Sequence, residues 1–359
     1  MSTNYYFKSI KFQNFRGLKD ISIDKLRRIN IIGGYNGTGK STLLEGLFLV
    51  LDRRGPLAVA RPFQWRNVGV GGVDGASQLF HNLDKNSQIA ISAAIPDGEL
   101  RLNLSFGPAP EGITMTLNSL PGVDEKNIQN SRNNALGLHI EATINNLPDD
   151  ASFSIPLPDG MAVNPYRVGQ SKIPHGVMLT AKTRNEPQSD AVRFTKVVRD
   201  GKLKELLDFA SVIRPKIRGL QLLQDGQSAV LHAENENNQL LPVSMLGDGL
   251  QSVVSIALAI MSSPGGVILL DEFDSTIHYS VLRDVWSYIG DLCNKYNCQV
   301  FAATHSRECI AAAVDGLGDP LKINDLKYIR LEVVDGKNEA INYSGKEIAE
   351  SLEADWEIR

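Results

Sequence analysis

The chain has 359 residues, 42% hydrophobic and 22% charged, with a formal net charge of −4. This is globular composition with room for one large domain or two ordinary ones, and it excludes a disordered chain; any nucleic-acid contact would need a local basic patch. No apolar run reaches membrane-spanning length, the start MSTNYYFKSIKF lacks a signal-peptide layout, and Cys293, Cys298 and Cys309 form no CxxC pair, so a cytoplasmic, reducing location is expected.

In chain order, the first clear element is residues 28–32 (RINII), short, apolar and β-branched as a buried strand would be. Residues 34–41 then read GYNGTGKS, a complete GxxxxGK[ST] loop, and residues 42–51 are long enough for an amphipathic helix. Glycines free that loop to turn its N–H groups inward, and the helix start adds unsatisfied donors and a positive dipole end. Such a loop binds a nucleoside triphosphate. Gly34, Asn36, Gly37, Thr38 and Gly39 would cradle the phosphates, Lys40 would reach the β- and γ-phosphates, Ser41 would ligate Mg²⁺, and Thr42 would support an adjacent phosphate.

Further on, residues 100–106 and 113–117 alternate with period two and read as strands between Pro- and Gly-rich turns. Helices are expected around residues 190–211. There Arg193, Lys196 and Arg199 share a face, either a phosphate-tracking stripe or an ordinary solvated surface. Residues 246–261 open on the glycine turn Gly247-Asp248-Gly249 and continue through Gln251 as an apolar helix, which makes the turn a second anion site. One chain rarely needs two such sites for one nucleotide, so this turn is expected to serve the nucleotide of another subunit.

Residues 266–272 are aliphatic and end in Asp271-Glu272, placing Asp271 to hold the metal and Glu272 to polarise the attacking water. Residues 299–303 form another apolar strand, ending at Thr304-His305-Ser306, where His305 would read the γ-phosphate. A last strand is expected at 328–333, followed by an acidic ending. No NKxD base-reading motif occurs, since residues 294–297 read NKYN, and this disfavours a GTPase.

Phosphate loop, glycine turn, aliphatic strand with Asp-Glu and strand with His, in that order, resemble the ABC-type ATPase head, in particular the RecF/SMC/OLD branch. Residues 10–18 (IKFQNFRGL) are similar to that branch's first strand and "NFR" turn, which puts Arg16 among the nucleotide-binding residues. LGDGLQSVVSIALAI resembles its signature helix, and ATHSRECI looks like the switch-histidine strand of the stand-alone OLD-like ATPases. The resemblance implies an α/β P-loop head with a mixed sheet, a β-rich plus helical insertion and no long coiled coil. Its parts would be a first core segment (1–100), the insertion (101–214), a second core segment (215–335) and a tail (336–359).

By the same resemblance, ATP and Mg²⁺ held by one copy would be completed by residues 247–249 of another, making a homodimer or higher oligomer. Gly247 and Asp248 depart from the branch's serine and glycine, and Gln78 is only a weak match to its Q-loop glutamine. No effector domain is legible here. The implied function is therefore an ATPase whose nucleotide-driven assembly controls a separate effector, a nuclease or toxin, in bacterial antiviral defence. A RecF-like DNA-repair ATPase and a nucleotide-gated scaffold with negligible turnover stand as alternatives.

Overall fold

A computed structural model describes residues 5–53, 57–66, 68, 72–108, 136–149, 152–156, 174–180, 187–226, 228–319 and 322–354. The first half carries β1 (Ser9–Phe15), β2 (Leu18–Ile23), β3 (Ile29–Gly33), α1 (Lys40–Leu51), α2 (Leu57–Trp65), α3 (Gly72–Ser77), β4 (Ile89–Ile95), β5 (Gly98–Pro108), β6 (Leu136–Ile144), β7 (Leu147–Pro148) and β8 (Phe153–Pro156). After β9 (Gly176–Leu179) come α4 (Pro187–Arg199), α5 (Leu203–Ile213), β10 (Gly219–Asp225), β11 (Ser228–Glu234) and β12 (Leu240–Pro242). The chain continues with α6 (Asp248–Ser262), β13 (Val267–Asp271), α7 (Tyr279–Tyr296), β14 (Gln299–Ala303), α8 (Arg307–Gly316), β15 (Leu326–Val334), β16 (Lys337–Ser344) and α9 (Gly345–Glu353).

These elements form two compact units. One comprises Met1–Lys8, Lys25–Leu44 and Pro174–Arg359, the other Ser9–Asp24 and Glu45–Ile173. The first is built on a sheet of order β16-β15-β3-β14-β13-β9, parallel throughout except for β16 on the edge. Every residue of β3 and β14 is buried. A parallel sheet covered on both faces demands this, and it explains why both strands read as nearly unbroken apolar runs.

Against the sheet lies α6, whose residues from Leu250 to Ser262 are all buried. A helix apolar on every side needs cover on every side. Helices α4 and α5 supply part of it, with Phe194, Val197, Leu206 and Phe209 in the same core as Val253, Ile256 and Ile260. Residues 187–213, which the sequence reading assigns to the insertion, thus pack in the first unit, as does β9. Residues 336–353, read from sequence as tail, form β16 and α9, with Ile348 fully buried. The hairpin of β10 and β11, with β12 on its edge, completes this unit.

The second unit is an antiparallel sheet of order β2-β1-β4-β5-β6-β7, with β8 also on β6. Its strands alternate: Ile89, Ile91, Ala93 and Ile95 of β4 face the core, as do Leu100, Leu102 and Leu104 of β5. One-sided burial of an antiparallel sheet produces this pattern. The strand expected at 100–106 lies inside β5, whereas the one expected at 113–117 falls outside the described residues. Among the described residues the longest helix is α7, at 18 residues.

Candidate active site

In the first unit the register aligns three neighbouring strands so that Ile32, Ala303 and Asp271 stand side by side at their carboxyl ends. The glycine loop, Thr304-His305 and Glu272 therefore all emerge from one edge of the sheet, where open α/β folds bind ligands.

Loop conformation follows from its glycines. Gly34, Gly37 and Gly39 have φ of 128°, 83° and 99°, a region L side chains rarely adopt. At Gly34 there is also no space, because a Cβ would lie 2.2 Å from the Leu331 carbonyl of β15. The loop is held by its own side chains: Thr38 Oγ1 donates to the Tyr35 carbonyl at 2.9 Å, and Lys40 Nζ donates to the carbonyls of Gly34 and Tyr35 at 2.7 and 2.8 Å. An ammonium has three donors, so one remains for a phosphate oxygen. Burial pushes the Lys40 pKa down, and Glu272 and then Asp271 oppose that shift. Asn338 of β16 donates to the Thr38 carbonyl at 3.0 Å, so the segment read as tail braces the loop.

Ser41 Oγ donates to Asp271 Oδ1 at 3.0 Å. A hydroxyl and a carboxylate are the hard oxygen donors that Mg²⁺ takes, so this pair fits that ion in its chemistry. Glu272 is exposed and sits at φ 47°, ψ 40°, a left-handed conformation uncommon for such a residue. Its N–H bonds the Ala303 carbonyl at 3.1 Å, and Ser275 Oγ donates to its carbonyl at 2.7 Å, which holds that turn. His305 is exposed at the end of β14, while the buried Thr304 donates to Asp274 Oδ2 at 2.9 Å and so ties this strand end to the turn after β13.

The second glycine turn begins α6. Gly247 has φ 118°, and Asp248 is the exposed first helical residue, where a carboxylate complements the dipole. A Cβ on Gly249 would come within 3.0 Å of the Thr276 carbonyl, and Ser252 Oγ lies 2.6 Å from Thr276 Oγ1. The turn is thereby packed against the segment following Glu272.

Two residues expected at the nucleotide have protein partners. Gln251 is buried: its N–H bonds the Gly247 carbonyl at 3.2 Å, and its amide donates to Asp190 Oδ2 at 3.1 Å and to Ser255 Oγ at 3.3 Å, so it anchors the helix instead of offering donors to an anion. Arg16 belongs to the second unit, where Nη1 of its guanidinium pairs with Glu45 and the group lies 5.2 Å from the Phe63 ring centroid, while Nε has no hydrogen-bond partner, so donors remain on it. Gln78, in the same unit, is exposed. The basic stripe is also largely spoken for: Arg193 donates to Asp190 at 3.1 Å and Lys196 to the Ser262 carbonyl. Asp190 itself escaped sequence reading, since one carboxylate on an amphipathic helix carries no signal of its partners.

Comparison with known proteins follows the same lines. The profile of a family described as "AAA domain, putative AbiEii toxin, Type IV TA system" matches residues 29–311. A Helicobacter pylori protein named "ATP/GTP phosphatase" is 24% identical over 330 residues, spanning 84% of this chain and 86% of the relative. A Methanocaldococcus jannaschii protein is 40% identical over 47 residues, 13% of this chain and 22% of that protein. Among solved structures, an Smc head bound to the C-winged helix domain of ScpA aligns with a TM-score of 0.52 at 12% identity, covering 94% of this chain and 98% of that one. An Smc head with an extended coiled coil, bound to the C-terminal domain of ScpA derived from Pyrococcus furiosus, aligns with a TM-score of 0.51 at 12% identity, covering 97% and 99%. At such identity the likeness shows the fold, that of an ABC-type ATPase head.

Proposed function

The chain belongs to the AAA domain family whose profile it matches over residues 29–311, and from its place there as an ABC-type P-loop ATPase we propose that it hydrolyses ATP in composite sites shared between two copies. The observation that carries this reading is the pair of glycine turns in one unit. One precedes Lys40 and Ser41 beside Asp271, and the other starts α6 against the segment after Glu272.

In this reading Lys40 and the loop N–H groups bind the triphosphate, Thr42 supports an adjacent phosphate, and Ser41 and Asp271 would hold Mg²⁺, which would supply neutralisation of the phosphate charge. Glu272 orients a water whose oxygen bonds to the γ-phosphorus as the bond to the β–γ bridging oxygen breaks. The electron pair of that bond stays with the diphosphate, and the water proton passes through the Glu272 carboxylate to the released phosphate. His305, exposed at the neighbouring strand end, senses the γ-phosphate. Residues 247–249 of the partner close the site, so triphosphate binding is coupled to assembly.

Replacing Glu272 with Gln tests this. Turnover should fall by about 10²–10⁴-fold with nucleotide affinity kept, and ATP should then trap a dimer visible by light scattering. A variant that stays monomeric with saturating ATP would overturn the composite site. Turnover as low in the wild type as in this variant would favour a nucleotide-gated scaffold.

The cell-level role we infer is control of a separate effector by ATP-driven assembly, in cytoplasmic defence against phage. The matched family's description as a toxin of a type IV toxin–antitoxin system supports a two-component setting, and three free, buried cysteines suit a reducing compartment. Co-purification with the product of a neighbouring gene, dependent on a non-hydrolysable ATP analogue, is the test. A chain that performs its cellular role without any second protein would refute it.

A further inference from the structure

The turn that starts α6 carries a negative charge, Asp248, where the proposed composite site needs to receive the γ-phosphate of another copy. An isolated carboxylate there opposes binding. A cation is anchored to the same turn. Arg214, the exposed residue that ends α5, donates from Nη1 to the carbonyl of Leu246 at 3.1 Å, one residue before Gly247. Its chain neighbour Ile213 lies 3.9 Å from where a Cβ on Gly249 would be, so the end of α5 and the turn pack as one piece.

Two other cations follow at alternate positions, and both have side-chain partners. Lys216 is paired with Glu236 at 2.5 Å, and Arg218 donates to Asn238 Oδ1 at 2.7 Å. Arg214 holds only the neutral Leu246 carbonyl by hydrogen bond; the exposed Glu236 carboxylate feels its charge but is paired with Lys216, and among the described residues no carboxylate forms an ion pair with Arg214. A guanidinium has five donors, so this one keeps several for phosphate oxygens.

We propose that Arg214 is a catalytic residue acting in trans, reaching from beside the α6 turn of one copy to the γ-phosphate held by Lys40 of another. The inference rests on the composite-site reading. Its chemistry is that of a preorganised cation aimed at charge that grows on the γ-phosphoryl oxygens as the β–γ bond breaks.

The test is complementation between inactive variants. Arg214→Gln should lower ATP turnover by about a hundredfold or more, as should Lys40→Ala. Mixed in equal amounts, they pair as heterodimers in about half of the dimers, each with one site made from an intact Lys40 and an intact Arg214, so activity should return to about a quarter of the wild-type rate. That return also proves both variants folded. Gly249→Arg mixed with Lys40→Ala serves as the control. Full activity of Arg214→Gln alone overturns the proposal. Failure of the Arg214→Gln pair while the control pair recovers shows that Arg214 acts within its own copy or only structurally, which also overturns it. Failure of both pairs, with each variant folded by circular dichroism and urea titration, rejects the composite site, and the trans role of Arg214 falls with it.

Discussion

Asp190→Ala should be among the most damaging single changes in the first unit. The Asp190 carboxylate is 2% exposed and accepts from Arg193 Nη1 at 3.1 Å, Gln251 Nε2 at 3.1 Å and Ser255 Oγ at 2.5 Å, joining α4 to the first turns of α6. Removing one partner of a buried ion pair costs about 3–5 kcal/mol, and each buried neutral donor left unpaired costs about 1–3 kcal/mol. The Arg193 side chain is 19% exposed and can turn partly to water, which offsets some of this. With the ion-pair part so reduced to about 1–2 kcal/mol and the two neutral donors at about 1–1.5 kcal/mol each, a total of about 4 kcal/mol is expected. With a urea slope of about 3 kcal/mol/M, the unfolding midpoint should drop by about 1.3 M. Asp190→Asn keeps one acceptor oxygen and should cost about half as much. Urea titration followed by circular dichroism reads both. A loss below about 1 kcal/mol for the alanine variant would mean that the three donors find other partners and that the network does not hold α6 in place.

Gly34→Ala forces a Cβ to within 2.2 Å of the Leu331 carbonyl at φ 128°, so the loop must shift. With strain of about 1–3 kcal/mol, nucleotide affinity should fall about 10–100-fold in a fluorescent-nucleotide titration, and unchanged affinity would count against the loop geometry. Gly37→Ala, whose Cβ meets nothing within 4 Å, should be milder. All three cysteines are buried, and desolvation pushes the Cys298 thiol up to about 11, so at pH 8 a disulfide reagent should label the native chain only as it opens; prompt labelling would refute this. Ser344 and Glu347 form a capping box at α9, and Ser344→Ala should cost about 1 kcal/mol by urea titration at neutral pH. The Ser344 N–H and hydroxyl hold the Glu347 carboxyl below its usual range, so that contribution is present above the unfolded value and fades as pH falls through the folded one.

Parts of the site that lie within a few residues of one another were legible from the chain alone. GYNGTGKS, VILLDE and QVFAATHS each carry strand, turn and functional group together, because glycine torsions, β-branched burial and helix-start donors act locally. Even the capping box that starts α9 was readable as Ser344 three residues before Glu347, and missing it made an ordered strand and helix pass for a tail.

Tertiary structure alone decided what pairs with what across long separations. Gln251 meets Asp190 across 61 positions and Asn338 meets Thr38 across 300, while Arg16 pairs with Glu45 across 29. Buried polar groups take whichever partner packing brings near, at a cost of kilocalories if none comes, and no periodicity in a sequence records that choice. The chemistry of this ATPase is therefore written in its local motifs, while the helices and strands that hold those motifs in place are set by the packing of its core.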